Sequence, residues 1–299
     1  MHQPQRAAFV TPHPDFVPAQ PPTLNVDTPA GNTGHSTPQH ADTTTQPTMS
    51  NIAPRPPIQQ TPLSAGLADT RKKDIAMQLV SSAENSSLDW RAQYKYIEDI
   101  GDGRGYTGGI VGFTSGTGDM LDLVEHYATL KPGNGLSRYL PALRSVNGTD
   151  SHSGLGASFV RAWQAAASDP VFQTAQDDER DSMYFNPAVS QAKADGLGVL
   201  GQFIYYDAMV MHGPGDDPLS LGGIRSAARS HARTPAAGGN EVTYLNAFLN
   251  ARKAAMLADS SHQETDRVDT EQRVFLNASN LNLDPPLKWS VYGDSYSIL

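Results

Sequence analysis

Two acidic residues have the type and the setting that acid–base chemistry requires. Glu84 ends a segment with the apolar spacing of a helix, and Asp102 lies 18 positions later in a glycine-rich loop. Hydrolysis of a glycosidic bond needs two carboxyl groups at one cleft, because one protonates the leaving oxygen while the other acts on water or on the sugar carbon. Two acids at such a spacing are more often surface charges, so the spacing alone leaves both interpretations open.

The loop around Asp102, residues 101–105, has the sequence Gly-Asp-Gly-Arg-Gly. Its glycines can adopt backbone angles that other residues avoid, and they let a bulky polymer approach the chain closely. The loop lacks the lysine of a phosphate-binding loop, and a strand-like segment rather than a helix follows it, which argues against a phosphate site. Thr107 follows the loop and offers a hydroxyl that can hold a water molecule.

No pattern indicates a metal site or a covalent nucleophile. The chain has no cysteine, which excludes disulfides, thiolate ligands and a cysteine nucleophile. It also lacks a GxSxG segment of the kind that carries a serine nucleophile. The five histidines beyond residue 66 show neither an HExxH pattern nor clustered spacing; they are His126, His152, His212, His231 and His262. We therefore expect no metal and no cofactor.

A buried charge is the second chemical signal. Asp207 lies inside the apolar run 203–210, where an unpaired carboxylate would be costly. Arg252 and Arg267, in later helical segments, are candidate partners. Such a pair is either a purely structural ion pair or a device in which an arginine held by Asp207 lowers the pKa of a catalytic acid. The residues alone do not choose between the two.

The elements that carry these residues indicate an α+β fold that is mostly helical. A capped helix is predicted from Thr70 to about Glu84, and the alternating segments 94–97 and 106–113 predict two strands around the Asp102 loop, the only convincing β region. Pro285-Pro286 begins an extended tail. Segment 187–211 is apolar nearly all round, so we expect a buried central helix. The remaining helical segments are 120–130, 158–167, 170–183, 221–233, 240–257 and 267–278.

Composition divides the chain into two parts. Residues 1–66 hold 13 of the 22 prolines, only two basic and three acidic residues, and two aromatic residues. Such a segment cannot bury enough apolar surface to offset the entropy of ordering, so we expect a disordered tail rich in Pro, Thr and Gln. Residues 67–299 are expected to form the catalytic domain, and they carry −8 of the net charge of −9.

The acidic charge and the lack of long apolar runs exclude several classes of partner. Dispersed basic residues make a poor nucleic-acid surface, and no apolar run approaches the roughly 18 residues of a membrane span. We expect no nucleic-acid or membrane partner, and a ligand that is cationic or neutral. Residues 1–30 show no basic segment followed by an apolar one, so no export signal is visible.

Longer stretches of this sequence closely resemble the chitosanases of glycoside hydrolase family 46. The resemblance is carried first by residues 81–90 and 94–109, which include both Glu84 and Asp102. It covers about residues 68–298 and continues through the shorter runs 115–119, 191–196, 212–215 and 269–273.

The resemblance implies a lysozyme-like fold, with two mostly helical lobes, a substrate cleft between them and one small antiparallel sheet. It further implies endo-acting hydrolysis of the β-1,4 bonds between glucosamine units of chitosan, with inversion. Glu84 would be the general acid, Asp102 the general base, and Thr107 the residue that helps to hold the attacking water. Inversion leaves room for that water, so the two carboxyl groups should stand at least about 6.5–9.5 Å apart.

Further residues match family positions around the pair. Arg267 matches the arginine beside the acid, and Asp207 and Arg252 match its supporting charges. Asp119 matches a carboxylate that recognises a glucosamine amine. Four further residues match cleft positions whose roles are less defined: Ser86, Tyr96, Arg104 and His212. Asp259 stands where we expect a glutamate that reads the amine, so its reach is one methylene shorter.

The resemblance also implies an extracellular enzyme that acts as a monomer on chitosan and its oligosaccharides. Two alternatives remain open at this stage. The first is a lysozyme-like hydrolase of peptidoglycan, and the second is a glycan-binding module without catalysis. A module of that kind would normally have lost one of the two carboxylates, whereas Glu84 and Asp102 are both present.

Overall fold

The computed structural model describes residues 66–259 and 263–299. The predicted disordered tail, apart from Gly66, lies outside the described residues and stays a prediction. Leu67, the first residue of the predicted catalytic domain, is fully buried, and its backbone N–H donates to Gln202 Oε1 at 2.9 Å. The chain is therefore packed into the folded part from the first residue of that predicted domain.

Within the described residues, the chain forms ten α-helices and five short β-strands, as the α+β prediction expected. None of the described helices is both long and apolar enough to cross a membrane. In chain order the elements are α1 Thr70–Asn85, β1 Ile97–Asp99, β2 Tyr106–Gly108, β3 Phe113–Thr114, α2 Asp119–Leu130, α3 Leu140–Val146, α4 Ala157–Ala166, α5 Pro170–Arg180, α6 Asn186–Ala194, α7 Val199–His212, α8 Leu221–His231, α9 Glu241–Ala258, α10 Arg273–Asn277, β4 Leu287–Val291 and β5 Asp294–Ile298.

The predicted β region exists as a three-stranded antiparallel sheet in the order β1–β2–β3. Glu98 of β1 pairs with Thr107 of β2, and Thr107 pairs in turn with Thr114 of β3. The Asp102 loop joins β1 to β2, so the sheet fixes both ends of the loop. A strand of three residues is marginal alone, and packing of the sheet on a helical core supplies the rest of its stability.

The prediction of a single β region was wrong, because β4 and β5 form a second antiparallel sheet where an extended tail was expected. Leu287, Trp289 and Val291 are buried and alternate with more exposed residues, which is the pattern of a strand with one buried face. Tyr292 and Gly293 join the two strands, and both have positive φ, at 52° and 86°. Two such residues form the tight turn whose twist matches a hairpin.

The predicted helix boundaries between residues 170 and 211 also need correction. The structure has one continuous helix from α5 to α6, with a π-helical turn at Asp181–Phe185, instead of a break before Pro187. Pro187 lacks the N–H of a regular turn, and the wider π turn before it absorbs that interruption. The break lies instead at Gly196, whose φ of 79° ends α6, with the N–H of Leu197 donating to the Ala192 carbonyl.

The predicted central helix is confirmed in α7, in which every residue from Val199 to His212 is buried. The buried apolar side chains of the described residues form two clusters, which we call the first and second cores. The first core contains side chains from α1, α6, α7, α8, α9 and β4, and the second contains side chains from the three-stranded sheet and from α2 to α5. Ile110, Val111 and Met183 pack against both cores.

Replacement of Gly196 by Ala tests the end of α6. An added Cβ would lie 2.8 Å from the backbone nitrogen of Ala236, and the residue has φ of 79°. We expect Gly196→Ala to lower the free energy of unfolding by about 2–4 kcal/mol, from left-handed strain together with the clash. The matched control is Gly133→Ala, because Gly133 has φ of 76° with nothing within 4 Å of the added Cβ. It should lose only about 1–2 kcal/mol. Equal losses in urea unfolding would contradict the packing argument.

Candidate functional site

The end of α1 places Glu84 in a buried and fixed position. The helix starts at Asp69, whose side chain accepts from the backbone N–H groups of Arg71 and Lys72. It ends at Ser86, which has a left-handed φ of 49°. Trp289 of β4 donates through Nε1 to Ser82 Oγ at 3.0 Å, which ties the second sheet to the last turn of the helix. Glu84 in that turn is only 5% exposed.

A buried chain of ion pairs extends from Glu84. Arg267 donates through Nη1 to Glu84 Oε1 at 2.5 Å and through Nη2 to Asp207 Oδ1 at 2.7 Å. Arg252 donates through Nη1 to the other Asp207 oxygen at 2.6 Å, and Gln272 Nε2 donates to that oxygen at 2.7 Å. The structure thus brings together Glu84 and three predicted supporting residues, and it gives Asp207 both candidate partners.

Opposite charges determine which residues in this chain of ion pairs are ionised. Burial alone would raise the pKa of Asp207, but Arg267 and Arg252 outweigh burial and hold that pKa at about 2. Burial alone would lower the pKa of Arg267, but Asp207 and Glu84 hold it well above its ordinary value. Asp207 is therefore an anion and Arg267 a cation at neutral pH. A catalytic acid at Glu84 has a permanent positive charge beside it.

Asp102 lies on the loop between β1 and β2, in the sheet of the second core. Its glycines at 101, 103 and 105 have φ of 74°, 82° and 73°, which confirms the expected unusual backbone angles. Arg104 donates through Nε and Nη2 to Asp102 Oδ2, at 3.0 and 2.7 Å, and its backbone N–H donates to Oδ1 at 3.0 Å. The Asp102 side chain remains about one-fifth exposed. Arg104 therefore orients the carboxylate without removing it from solvent.

Thr107 lies in the middle of β2, beyond the loop. Its side chain is fully buried, and Oγ1 has no hydrogen-bond partner among the described residues. A buried hydroxyl normally has a hydrogen-bond partner, so Thr107 Oγ1 is available to bind a ligand or a water molecule.

Asp119 is the first residue of α2 and is only 7% exposed. Its Oδ1 atom accepts from the backbone N–H groups of Thr114 and Met120, at 2.8 and 2.9 Å, and from Thr117 Oγ1 at 2.9 Å. Burial raises the pKa of Asp119 to about 6, although these hydrogen bonds and the charge of Arg104 oppose the shift. Oδ1 therefore holds together the segment between β3 and α2, and Oδ2 takes no part in these hydrogen bonds.

The other predicted binding residues are spread over several elements. Tyr96 precedes β1 and donates through its hydroxyl to Glu98 Oε1 at 2.6 Å. Ser86 is exposed at the end of α1, and Asp259 follows the end of α9. His212 is buried at the end of α7, and its Nε2 accepts from Arg252 Nε at 3.3 Å. His212 therefore belongs to the buried ion-pair chain and not to an open surface.

Glu271 and Gln272 complete the buried chain of ion pairs. Neither residue was assigned a role from the sequence. Both are buried in a π-helical turn, Arg267–Gln272, that leads directly into α10. A signal was present, because helical spacing from Val268 to Phe275 places positions 271 and 272 on the apolar face. Polar side chains on such a face require internal partners.

No group of three or more His, Cys, Asp or Glu residues in the described ranges is arranged to hold a metal ion. The two carboxyl groups, Glu84 and Asp102, are of a type that can transfer protons. One carboxyl group lies buried against a cation on the first core, and a second lies oriented and partly exposed on a loop of the second core.

Comparisons with known proteins identify the family of this chain. The family model described as glycosyl hydrolase family 46 matches residues 78–287. A chitosanase of Streptomyces sp. (strain N174) is 72% identical over 234 residues, which are 78% of this chain and 84% of the relative. A chitosanase of Nocardioides sp. (strain N106) is 67% identical over 248 residues, covering 83% of this chain and 89% of the relative.

Solved structures show the same fold. A chitosanase crystallised with its substrate is 58% identical with a TM-score of 0.73, covering 78% of this chain and 99% of that structure. A chitosanase of Gynuella sunshinyii in complex with chitotetraose is 34% identical with a TM-score of 0.67, covering 76% and 97%. The predicted resemblance and the lysozyme-like, mostly helical fold class are confirmed. The chain belongs to glycosyl hydrolase family 46 and is a glycoside hydrolase.

Proposed function

We propose that this enzyme hydrolyses the β-1,4 bonds between glucosamine units of chitosan, within the polymer and with inversion. The relatives described above are chitosanases, and one of them was solved with chitotetraose. The observation that carries the proposal is the contrast between two carboxyl groups. Glu84 is buried against Arg267, whereas the Asp102 carboxylate is partly exposed and is oriented by Arg104. Two carboxyl groups in different environments can take the separate roles of acid and base.

In the proposed reaction, Glu84 is the general acid. It gives its proton to the glycosidic oxygen as the bond from that oxygen to the anomeric carbon breaks. The carboxylate that results is stabilised at once by Arg267, whose Nη1 lies 2.5 Å from Oε1. Asp207 and Arg252 hold Arg267 in place for this contact.

Asp102 is the general base on the opposite face of the sugar. It takes a proton from a water molecule whose oxygen forms the new bond to the anomeric carbon, so that one displacement inverts the configuration. Arg104 fixes the orientation of the carboxylate, and the unused hydroxyl of Thr107 is a suitable partner for the water. Inversion predicts carboxyl groups at least about 6.5–9.5 Å apart when substrate is bound.

Charge supports chitosan as the substrate. Chitosan is a polycation when its amines are protonated, and residues 67–299 carry a net charge of −8. Asp119, through the oxygen that stands outside its internal contacts, is the proposed reader of one amine, and Arg104 links it to the catalytic base. Ser86, Tyr96 and Asp259 remain proposed binding residues. Because a polysaccharide does not readily cross a cell membrane, we also infer an extracellular enzyme. We propose separately that it acts as a monomer.

The acid and base assignments are tested by Glu84→Gln and Asp102→Asn. Each should lower kcat by about 10³-fold or more, because each removes one proton transfer from the transition state. The measurement is release of reducing ends from chitosan, with thermal unfolding to confirm that both variants fold. The matched controls are Glu125→Gln and Asp178→Asn, which remove the same charges from solvent-accessible positions on α2 and α5 and should keep nearly full activity. Near wild-type turnover by either site variant would exclude its assignment.

Inversion is tested by the anomer that forms first. When a chitosan hexamer is cleaved, proton NMR should show the α-anomer at the new reducing end before mutarotation, because water attacks opposite the departing oxygen. A β-anomer as the first product would show retention and would remove Asp102 from the role of base.

The role of Asp119 predicts a pH dependence of binding. Asp119 is ionised above pH 6 and neutral below it, since its pKa is about 6. The KM for a glucosamine oligomer should therefore rise as the pH falls from 6 to 5, because Asp119 loses its charge while the substrate amines become more fully protonated. Asp119→Asn should have a high KM throughout, with this step in the pH profile removed. If the variant retains the step, another group reads the amine.

A further inference from the structure

One buried carboxyl group near the site has no assigned task. Glu271 is only 1% exposed, and neither of its carboxyl oxygens has a hydrogen-bond partner among the described residues. Arg267, four positions earlier in the same π-helical turn, likewise has an unpartnered and buried Nε within the described part of the chain. A buried carboxyl group without partners is rare in folded proteins and needs a physical reason.

The ionisable groups that face Glu271 come from three segments. Asp207 contributes from α7, Arg252 from α9, and Arg267 from the same turn, and all three interact electrostatically with Glu271. Glu84, at the end of α1, enters through its contact with Arg267.

Two aromatic groups border these charges as well. His212 of α7 accepts from Arg252 through Nε2, so this nitrogen carries no proton in the contact. Tyr292, in the hairpin turn between β4 and β5, interacts with Arg267, Glu84 and Asp207, and burial chiefly raises the pKa of its hydroxyl. Neither group carries a charge in this arrangement, so the charge balance depends on the guanidinium and carboxyl groups alone.

The buried charges balance only if one proton is present. Two guanidinium groups face three carboxyl groups, and all of them are withdrawn from solvent. Asp207 is a fixed anion because both guanidinium groups bind it. A net buried charge is costly, so one proton must reside on Glu84 or on Glu271.

The structure corresponds to one of these two states. Arg267 binds Glu84, as expected when Glu84 is ionised, and Glu271 accepts no hydrogen bond from any described residue, as expected when Glu271 carries the proton. Burial chiefly raises the pKa of Glu271 well above its ordinary value, Asp207 adds to the shift, and the two guanidinium groups oppose it. In the other state Glu84 holds the proton that catalysis requires, and an ionised Glu271 preserves the balance.

We propose that Glu271 is a positioning residue that shares one proton with the general acid Glu84 across Arg267 and Asp207. The proposal rests on the proposed role of Glu84 for its functional meaning. It explains how an acid in contact with a permanent guanidinium keeps a proton to give. Without the third carboxyl group, Arg267 would favour the ionised form of Glu84 with nothing to oppose it.

The test is a ¹³C NMR titration of protein labelled at the glutamate carboxyl carbons, with the two signals assigned from Glu84→Gln and Glu271→Gln. In the wild-type protein both signals should follow two-step curves with shared midpoints, because they titrate as a pair. In Glu271→Gln, Glu84 should titrate in one step, and its last midpoint should fall by about 1 pH unit or more. Glu125→Gln, which removes the same charge from α2, should leave the Glu84 curve unchanged.

Independent single-step curves in the wild-type protein, or an unchanged Glu84 curve in Glu271→Gln, would overturn the proposal. The wild-type Glu84 curve, which is assigned from Glu84→Gln, decides the matter even if Glu271→Gln fails to fold. The titration needs no substrate, so its result is separate from the test of chitosan hydrolysis. In kinetics, the alkaline limb of the kcat profile of Glu271→Gln should shift to lower pH by the same amount, with KM unchanged. A merely structural role would lower kcat without moving that limb.

Discussion

The buried contact of Arg267 with two carboxylates is the interaction on which the rest of the site depends. A guanidinium group without access to water is stable only where anions surround it, and Asp207 and Glu84 occupy two of its donors. The same contact joins three distant parts of the chain, α1, α7 and the turn that leads into α10. The fold therefore cannot form its first core without also placing the candidate acid.

Packing around this contact explains why Glu84 is buried whereas Asp102 is partly exposed. α7 is buried over its full length, and β4 fastens the end of α1 through Trp289 and Ser82. Asp102 lies instead on a loop of glycines that only a three-residue strand anchors at each end. The proposed acid Glu84 is kept from water beside Arg267, whereas the proposed base Asp102 can reach water, and the two residues lie on different cores.

Much of this arrangement could be predicted from the sequence, because burial rules limit where charges can go. Asp207 inside an apolar run required cationic partners, and two arginines supplied them. The second sheet was not predicted, since two adjacent prolines concealed an alternation that starts at Leu287. The sequence alone places Glu271 on an apolar helical face. Its importance was missed because it follows from a count of buried charges that only the folded chain brings together.

The number of residues in the continuous helix from α5 to α6 matters for the arrangement of the fold. It runs from the second core to the first, and Met183 in its π turn packs on both. Each residue of an α-helix turns the chain by about 100°. Loss or gain of one residue in the turn Asp181–Phe185 would therefore rotate everything that follows relative to the sheet. Insertions and deletions are tolerated in surface loops, but in this segment they would reorient the first core relative to the second.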